Sequence, residues 1–345
     1  MKCDIKSKLP SELEERFEAI GEKKYRAAQV FSWLYKGVKA FDEMTDLSLD
    51  LRSKLCDEFF ISSLTLADKQ VSSDGTVKYL WGAGDDFIES VLMEYKHGFT
   101  VCISSQVGCK MGCLFCASGI GGLKRSLTPA EMLDQVLYSS LDSGIRISNV
   151  VLMGIGEPLD NFDNVMKFIT LINSHKGMNI GARHITLSTC GIAEYIDRLA
   201  DYSVQLSLAI SLHAPDDETR SMLMPSNRST SIKALIEASE RYAKSSGRRV
   251  TYEYILIDGV NDSSSQAEKL SQLLRNSGSH LNLIHLNSIP ESDFQPSKKE
   301  NADNFTQILQ KNGVSFTTRR SLGSDIDAAC GQLRRKRLDG VMGHN

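Results

Sequence analysis

The 345-residue chain lacks any apolar run near the roughly 18 residues that a membrane-spanning helix needs, so no membrane partner is expected. Its start, Met-Lys-Cys-Asp-Ile-Lys, lacks the apolar stretch of a signal peptide, which leads to an expectation of a cytoplasmic protein. An excess of either charge is missing too. Forty Lys and Arg against 43 Asp and Glu leave a net charge of −3, which excludes a global attraction to nucleic acid. Any such contact must use local patches such as Arg334-Arg335-Lys336-Arg337, which taken alone reads as a solvated tail. Internal repeats and low-complexity tracts are absent. The eight cysteines form no disulfide framework; three are clustered, which fits a reducing compartment and a metal site.

What is present is an ordinary globular composition, 41% hydrophobic and 24% charged, long enough for one large domain and a small one. Residues 10–60 read as helical. Pro10-Ser11-Glu12-Leu13-Glu14 resembles a helix start with Ser11 as cap, and helices are expected over Tyr25–Lys36 and Leu49–Phe59. Between residues 64 and 104 the pattern turns to short alternating strands punctuated by Ser-Asp-Gly and His-Gly, a run of hairpins. From residue 128 strands alternate with helices. The strand candidates are Asn149–Met153, His184–Ser188, Gln205–Ser211, Val250–Leu256, Leu281–Leu286 and Val314–Thr318. That rhythm predicts an α/β fold, an incomplete (β/α) barrel whose ligands sit beyond the strand C-termini. The expected division is a helical accessory domain over 1–62, a β-hairpin extension over 63–99, the barrel over 100–320 and a C-terminal segment over 321–345.

Cys109, Cys113 and Cys116 form a C-x3-C-x2-C run with no fourth cysteine at matching spacing. Structural zinc and ferredoxin-type clusters both want four protein ligands. Zinc with a distant fourth ligand is the plainer reading; a [4Fe–4S] cluster with one open iron matches the ligand count better. Next comes Met153-Gly154-Ile155-Gly156-Glu157-Pro158, directly after a buried-looking strand. Glycines let backbone approach a ligand, and Glu157 can hold an amino group. The pair of motifs suits a ligand that chelates the open iron through its own amine and carboxylate, as S-adenosylmethionine can. Ser188, Ser211, His213 and Asn287 follow later strands, where each taken alone reads as a cap or turn residue. Cys102 precedes the cysteine run, Cys330 sits far downstream, and Glu89 interrupts an apolar strand. An outward-facing strand carboxylate is usually solvated, and a cysteine between Ala and Gly is usually inert packing.

Together these residues resemble the radical S-adenosylmethionine enzymes of the RlmN/Cfr family, which methylate adenosine in RNA. The similarity runs from about residue 10 to residue 335. It is most specific over Val101–Gly122, Val150–Asn161, Thr186–Gly191, Ser211–Pro225 and Gly323–Leu333. Phe115 supplies the aromatic residue of the superfamily's cysteine motif, and Asp-Ile-Asp-Ala-Ala-Cys-Gly-Gln-Leu around Cys330 is a family feature. The resemblance implies that Cys109, Cys113 and Cys116 bind the cluster. It further implies that Gly156, Glu157, Ser188, Ser211, Leu212, His213 and Asn287 contact S-adenosylmethionine. Cys330 would carry the methyl group, Cys102 would be its disulfide partner and Glu89 the proton acceptor.

In the family's mechanism one S-adenosylmethionine methylates Cys330, and a second is cleaved to a radical that activates the S-methyl group for addition to the purine. Two cofactor molecules are therefore consumed per turnover. Cys102 then attacks Cys330 to release the product, so an external electron donor of the flavodoxin type must reset the pair. The implied substrates are 23S rRNA and tRNA, bound with help from the N-terminal helices, and a monomer is expected. Gly-Glu-Pro-Leu at 156–159 and Val107 resemble the branch that methylates C2 rather than C8. Ile155, Ser226, His285 and Ser288 depart from the family's usual residues, and the last two flank Asn287. The reading from another class is a metal-bearing RNA-binding protein without catalysis.

Overall fold

The computed structural model describes residues 2–202, 204–287, 292–320, 322, 323, 325, 326, 331–335 and 337. Near the N-terminus β1 (Cys3–Asp4) pairs in parallel with β2 (Phe59–Phe60), closing a loop of three helices, α1 (Pro10–Ala19), α2 (Lys24–Leu34) and α3 (Leu49–Glu58). The apolar residues fall three and four apart: Leu13 and Phe17, then Ala27, Val30, Phe31 and Leu34, then Leu51 and Leu55. They fill a core separate from the main one. The cap of α1 is Leu9 rather than Ser11. Pro10 occupies the first helical position, where no N–H is needed, and the Glu12 carboxylate accepts the Leu9 N–H at 2.6 Å.

Four antiparallel strands follow, β3 (Thr65–Val71), β4 (Val77–Ala83), β5 (Asp86–Tyr95) and β6 (Gly98–Ile103). A small ribbon, β7 (Gln106–Gly108) with β8 (Leu123–Ser126), brackets the cysteine run. The chain then alternates: α4 (Pro129–Ser143), β9 (Ile147–Leu152), α5 (Phe162–Asn173), β10 (Ile185–Thr189), α6 (Ala193–Asp201) and β11 (Ser207–Ser211). It continues through α7 (Asp217–Leu223), α8 (Ile232–Ser246), β12 (Thr251–Leu256), α9 (Ser264–Leu274), β13 (His280–His285), α10 (Lys299–Lys311) and β14 (Phe316–Thr318).

One ten-stranded sheet results, in the order β14-β13-β12-β11-β10-β9-β6-β5-β4-β3. Every pairing from β6 to β14 is parallel, and spatial order follows chain order. Crossovers of one hand between successive neighbours curl such a sheet toward a barrel, and here it stays open. The hairpins continue the same sheet, so Glu89 and Cys102 lie on adjacent strands, β5 and β6. The N-terminal helices dock through Lys6, which donates to Asp134 of α4 at 2.7 Å with both side chains fully buried. Tyr35 donates to the Leu171 carbonyl of α5 at 3.0 Å. Among the described residues no helix is long and apolar enough to cross a membrane.

Parallel strands covered on both faces are expected to be continuously apolar. Polar side chains at Ser188, Ser211, Glu253 and Asn282 break that rule, and the first three line cavities at the carboxyl ends of the strands.

Candidate active site

The cysteine run occupies the loop between β7 and β8. Gly108 precedes it with φ +77°, and a Cβ there would sit 2.0 Å from the Gly122 carbonyl. The ribbon can therefore close only on glycine, which places the Cys109 N–H 3.2 Å from that carbonyl. Cys109, Cys113 and Cys116 share the wall of a cavity of about 150 Å3 with Met111, Phe115 and Glu157. Burial pushes the Cys109 thiol up to about 12, with the nearby Glu157 and Cys116 charges acting in the same direction. Cys113 is raised too, again mainly by burial. Among the described residues no three potential ligands close on a single-ion position; the three thiols instead surround a space. Two thiols that burial keeps protonated on their own, set beside a third, fit a polynuclear cationic centre, which would hold all three as thiolates.

The loop after β9 forms the next wall. A Cβ on Gly154 would meet the Ile103 carbonyl oxygen at 2.6 Å, and one on Gly156 (φ +106°) would meet the Gln106 nitrogen at 2.8 Å. Both glycines let this loop lie against the end of β6, where the Ile155 carbonyl accepts the N–H groups of Ser105 and Gln106. Glu157 is buried, and its two oxygens accept the Cys190 N–H at 2.7 Å and the Leu159 N–H at 3.0 Å. Burial raises its pKa. A carboxylate has about four acceptor positions, so capacity remains for an ammonium group.

Ser188, Ser211 and His213 line this cavity and a second one of about 250 Å3 beside it. His213 adopts φ +56°, which turns its ring inward, edge-on to Phe115 at 4.9 Å between ring centres. Its Nδ1 accepts the Ile255 N–H at 3.1 Å, so the neutral ring carries its proton on Nε2. Burial, with help from the Arg220 charge, holds the imidazole down to about 3. The Leu212 side chain is fully buried, while its N–H bonds to the Glu253 carbonyl and its carbonyl to Arg220. Asn287 is exposed on the rim of the second cavity.

A third cavity, about 260 Å3, holds Cys102, Val91, Met93, Tyr95, Asn287, Arg319 and Arg320. The cavity of Cys102 adjoins the second one, with Met153, Asn287 and Arg319 shared between the two. Glu89 is not solvated, as a lone strand carboxylate is expected to be. It is 3% exposed, pairs with buried Lys78 at 2.7 Å, and accepts the N–H groups of Gly331 at 2.7 Å and Arg334 at 2.5 Å. Gly331 in turn packs on the cysteine loop, its Cβ position 2.9 Å from the Ser118 nitrogen. Cys330 lies outside the described residues. Among the described residues no two cysteines form a disulfide.

Sequence reasoning missed Lys78, Arg220, Glu253 and Arg319. Glu253 carried the same signal as Glu89, a carboxylate inside the otherwise apolar and aromatic strand Thr-Tyr-Glu-Tyr-Ile-Leu.

Residues 103–269 match the radical SAM superfamily, and residues 5–61 match the ribosomal RNA large subunit methyltransferase N-terminal domain. The probable dual-specificity RNA methyltransferase RlmN of Alkaliphilus metalliredigens is 50% identical over 340 residues, 98% of this chain and 97% of that protein. This chain belongs to the RlmN family. The RlmN protein of Clostridium tetani is 50% identical over 317 residues, 91% of each chain. A crystal structure of a radical SAM methyltransferase from Sphaerobacter thermophilus superposes with TM-score 0.90 at 45% identity, covering 96% of this chain and 98% of that one. The chain is therefore a radical SAM RNA methyltransferase with a [4Fe–4S] cluster and S-adenosylmethionine as cofactors, and the non-catalytic reading is set aside.

Proposed function

We propose that this RlmN-family enzyme methylates C2 of adenosine in 23S rRNA and tRNA. The observation that carries the reading is the convergence of Cys109, Cys113, Cys116 and Glu157 on one cavity, in a chain related over nearly its full length to dual-specificity RNA methyltransferases. Cys109, Cys113 and Cys116 hold the cluster. Gly156 and Glu157 receive the amino-acid end of S-adenosylmethionine, while Ser188, Ser211, the backbone of Leu212, His213 and Asn287 flank the rest. When bound, these cofactors supply methyl groups and one-electron chemistry.

The chain's own residues do the remainder. The C2 atom of adenine is an electrophilic amidine carbon without a lone pair, so it cannot attack a methyl sulfonium directly. A methyl group held on the Cys330 sulfur would add to C2 once the bound cofactors' one-electron chemistry had taken one of its hydrogens. Glu89 accepts the C2 proton; its carboxylate bonds to the N–H of Gly331, the residue after the carrier. Cys102 attacks the Cys330 sulfur to release the RNA, forming a disulfide that an external reductant opens. The target base enters the cavity beside Cys102, with Tyr95 and Met93 offering stacking surfaces and Arg319 and Arg320 facing phosphate.

Reconstituted enzyme incubated with S-adenosylmethionine, a reductant and each RNA should give 2-methyladenosine on nucleoside mass spectrometry. A product methylated at C8 moves the assignment to the other branch of the family. No methylated nucleoside from an enzyme carrying about four irons overturns it. Cys330→Ala should yield no product, and Cys102→Ala should trap a covalent protein–RNA adduct.

A further inference from the structure

Glu253 stands on β12 level with Ser211 of β11, and its backbone carbonyl accepts the N–H groups of Leu212 at 3.0 Å and His213 at 3.2 Å. Its side chain is 3% exposed. One carboxylate oxygen accepts the Asn282 amide at 3.0 Å. Among the described residues the other has no hydrogen-bond donor, although it is buried in the wall of the 250 Å3 cavity. The nearest cation, the Arg319 guanidinium, stays 3.6 Å away and is one-third exposed, so solvent screens it. A buried acceptor left without a donor is costly, and a native site that keeps one is built for a ligand that supplies the donor.

The two cofactor cavities say which donor. The smaller carries the cysteines and Glu157, the larger carries Glu253 with Ile255, Ile284 and Leu286, and Ser211 and His213 belong to both. A ligand whose amino-acid end lies by Glu157 must place its nucleoside in the larger cavity, with the ribose at the junction and the adenine against the aliphatic side chains. Glu253, level with Ser211, sits at that junction. Carboxylates at strand ends recognise ribose hydroxyls in dinucleotide-binding folds by the same chemistry.

We propose that Glu253 binds S-adenosylmethionine, its unpaired carboxylate oxygen accepting a ribose hydroxyl, with Asn282 fixing the carboxylate and Arg319 closing the cavity mouth. This rests on the cofactor placement proposed above and adds a residue to it. The rival role is an ion pair with Arg319 that braces β12 against β14.

The test is binding of S-adenosylhomocysteine and its 2′-deoxy and 3′-deoxy analogues to the cluster-loaded protein, measured by calorimetry. In the wild type, removing the contacted hydroxyl should weaken binding roughly tenfold or more. In Glu253→Gln the same removal should cost much less, because the charged acceptor is gone. Should Glu253→Gln lose its thermal transition, Glu253→Asp, with the carboxylate withdrawn by one methylene, reads the same difference. Wild-type indifference to both deoxy analogues overturns the proposal while leaving the cofactor site standing. Equal penalties in wild type and variant overturn it too, as does Arg319→Met reproducing the full effect of Glu253→Gln. Failure of the wild type to bind S-adenosylhomocysteine at all defeats the cofactor placement itself.

Discussion

Lys78 and Glu89 meet at 2.7 Å across adjacent strands, with side chains 1% and 3% exposed. Backbone N–H groups of Gly331 and Arg334 complete the shell of the carboxylate. A buried pair of this kind contributes little beyond a hydrophobic pair, yet removing one partner leaves an uncompensated charge at a cost of about 3–5 kcal/mol. Lys78→Met should therefore destabilise the protein by that order, and the double variant Lys78→Met/Glu89→Gln by clearly less. Urea unfolding measures both. On the mechanism proposed above, in which Glu89 takes the C2 proton, Glu89→Gln alone should also abolish product. Normal turnover in that variant would remove Glu89 from the chemistry.

Arg220 supports the opposite side of the site. Fully buried, it donates to the carbonyls of Cys190, Ser211 and Leu212 and to the Asn227 side chain, at 2.6 to 3.1 Å. One guanidinium thus ties the loops after β10 and β11 to the segment after α7. Arg220→Met should orphan several buried acceptors, each worth about 1–3 kcal/mol. The expected result is a large loss of unfolding free energy and weakened S-adenosylmethionine binding. Arg220→Lys, which keeps the charge without the planar fork, should recover only part of both.

Most of this architecture was legible because period and punctuation agreed. The strand–helix alternation from residue 128 gave the open barrel, and the cysteine run and Gly-x-Gly-Glu fell at strand ends where such folds place ligands. What escaped was pairing across the sheet. Lys78 sits eleven residues before Glu89, and only the antiparallel register brings them together. Arg220 lies in a short, polar helix whose pattern says surface, and α10 opens with Lys-Glu-Asn-Ala-Asp-Asn, burying only Ala302, Phe305 and Leu309. Burial by tertiary contact leaves no local periodic trace.

Gly156 tests the close approach of the two ligand loops. At φ +106°, a side chain there is strained, and its Cβ would lie 2.6 Å from Gln106 Cβ. Gly156→Ala should push the loop away from the end of β6 and cost about 1–3 kcal/mol by overpacking. Because the Glu157 N–H bonds to the Gln106 side chain at 2.9 Å, the same shift displaces Glu157. Cofactor affinity should fall along with thermal stability, whereas Gly121→Ala in the cysteine loop, strained by φ +84° but with open space around its Cβ, should spare affinity better.

His213 makes stability depend on pH in a defined direction. Its folded-state value near 3 lies below the ordinary 6.5, so acid protonates the unfolded chain first. Stability from this group is complete above about pH 6.5 and is lost as pH falls toward 3, at about 1.4 kcal/mol per unit. Between pH 7.5 and pH 5 the histidine should account for about 2 kcal/mol of lost unfolding free energy by that slope. Asparagine tolerates the positive φ of this position and offers an amide oxygen to the Ile255 N–H, so His213→Asn should fold. The variant will be less stable than wild type at pH 7.5, and the gap should narrow by about 2 kcal/mol at pH 5. Urea titrations of both proteins at the two pH values measure it; a gap that stays constant would mean that His213 titrates normally in the fold.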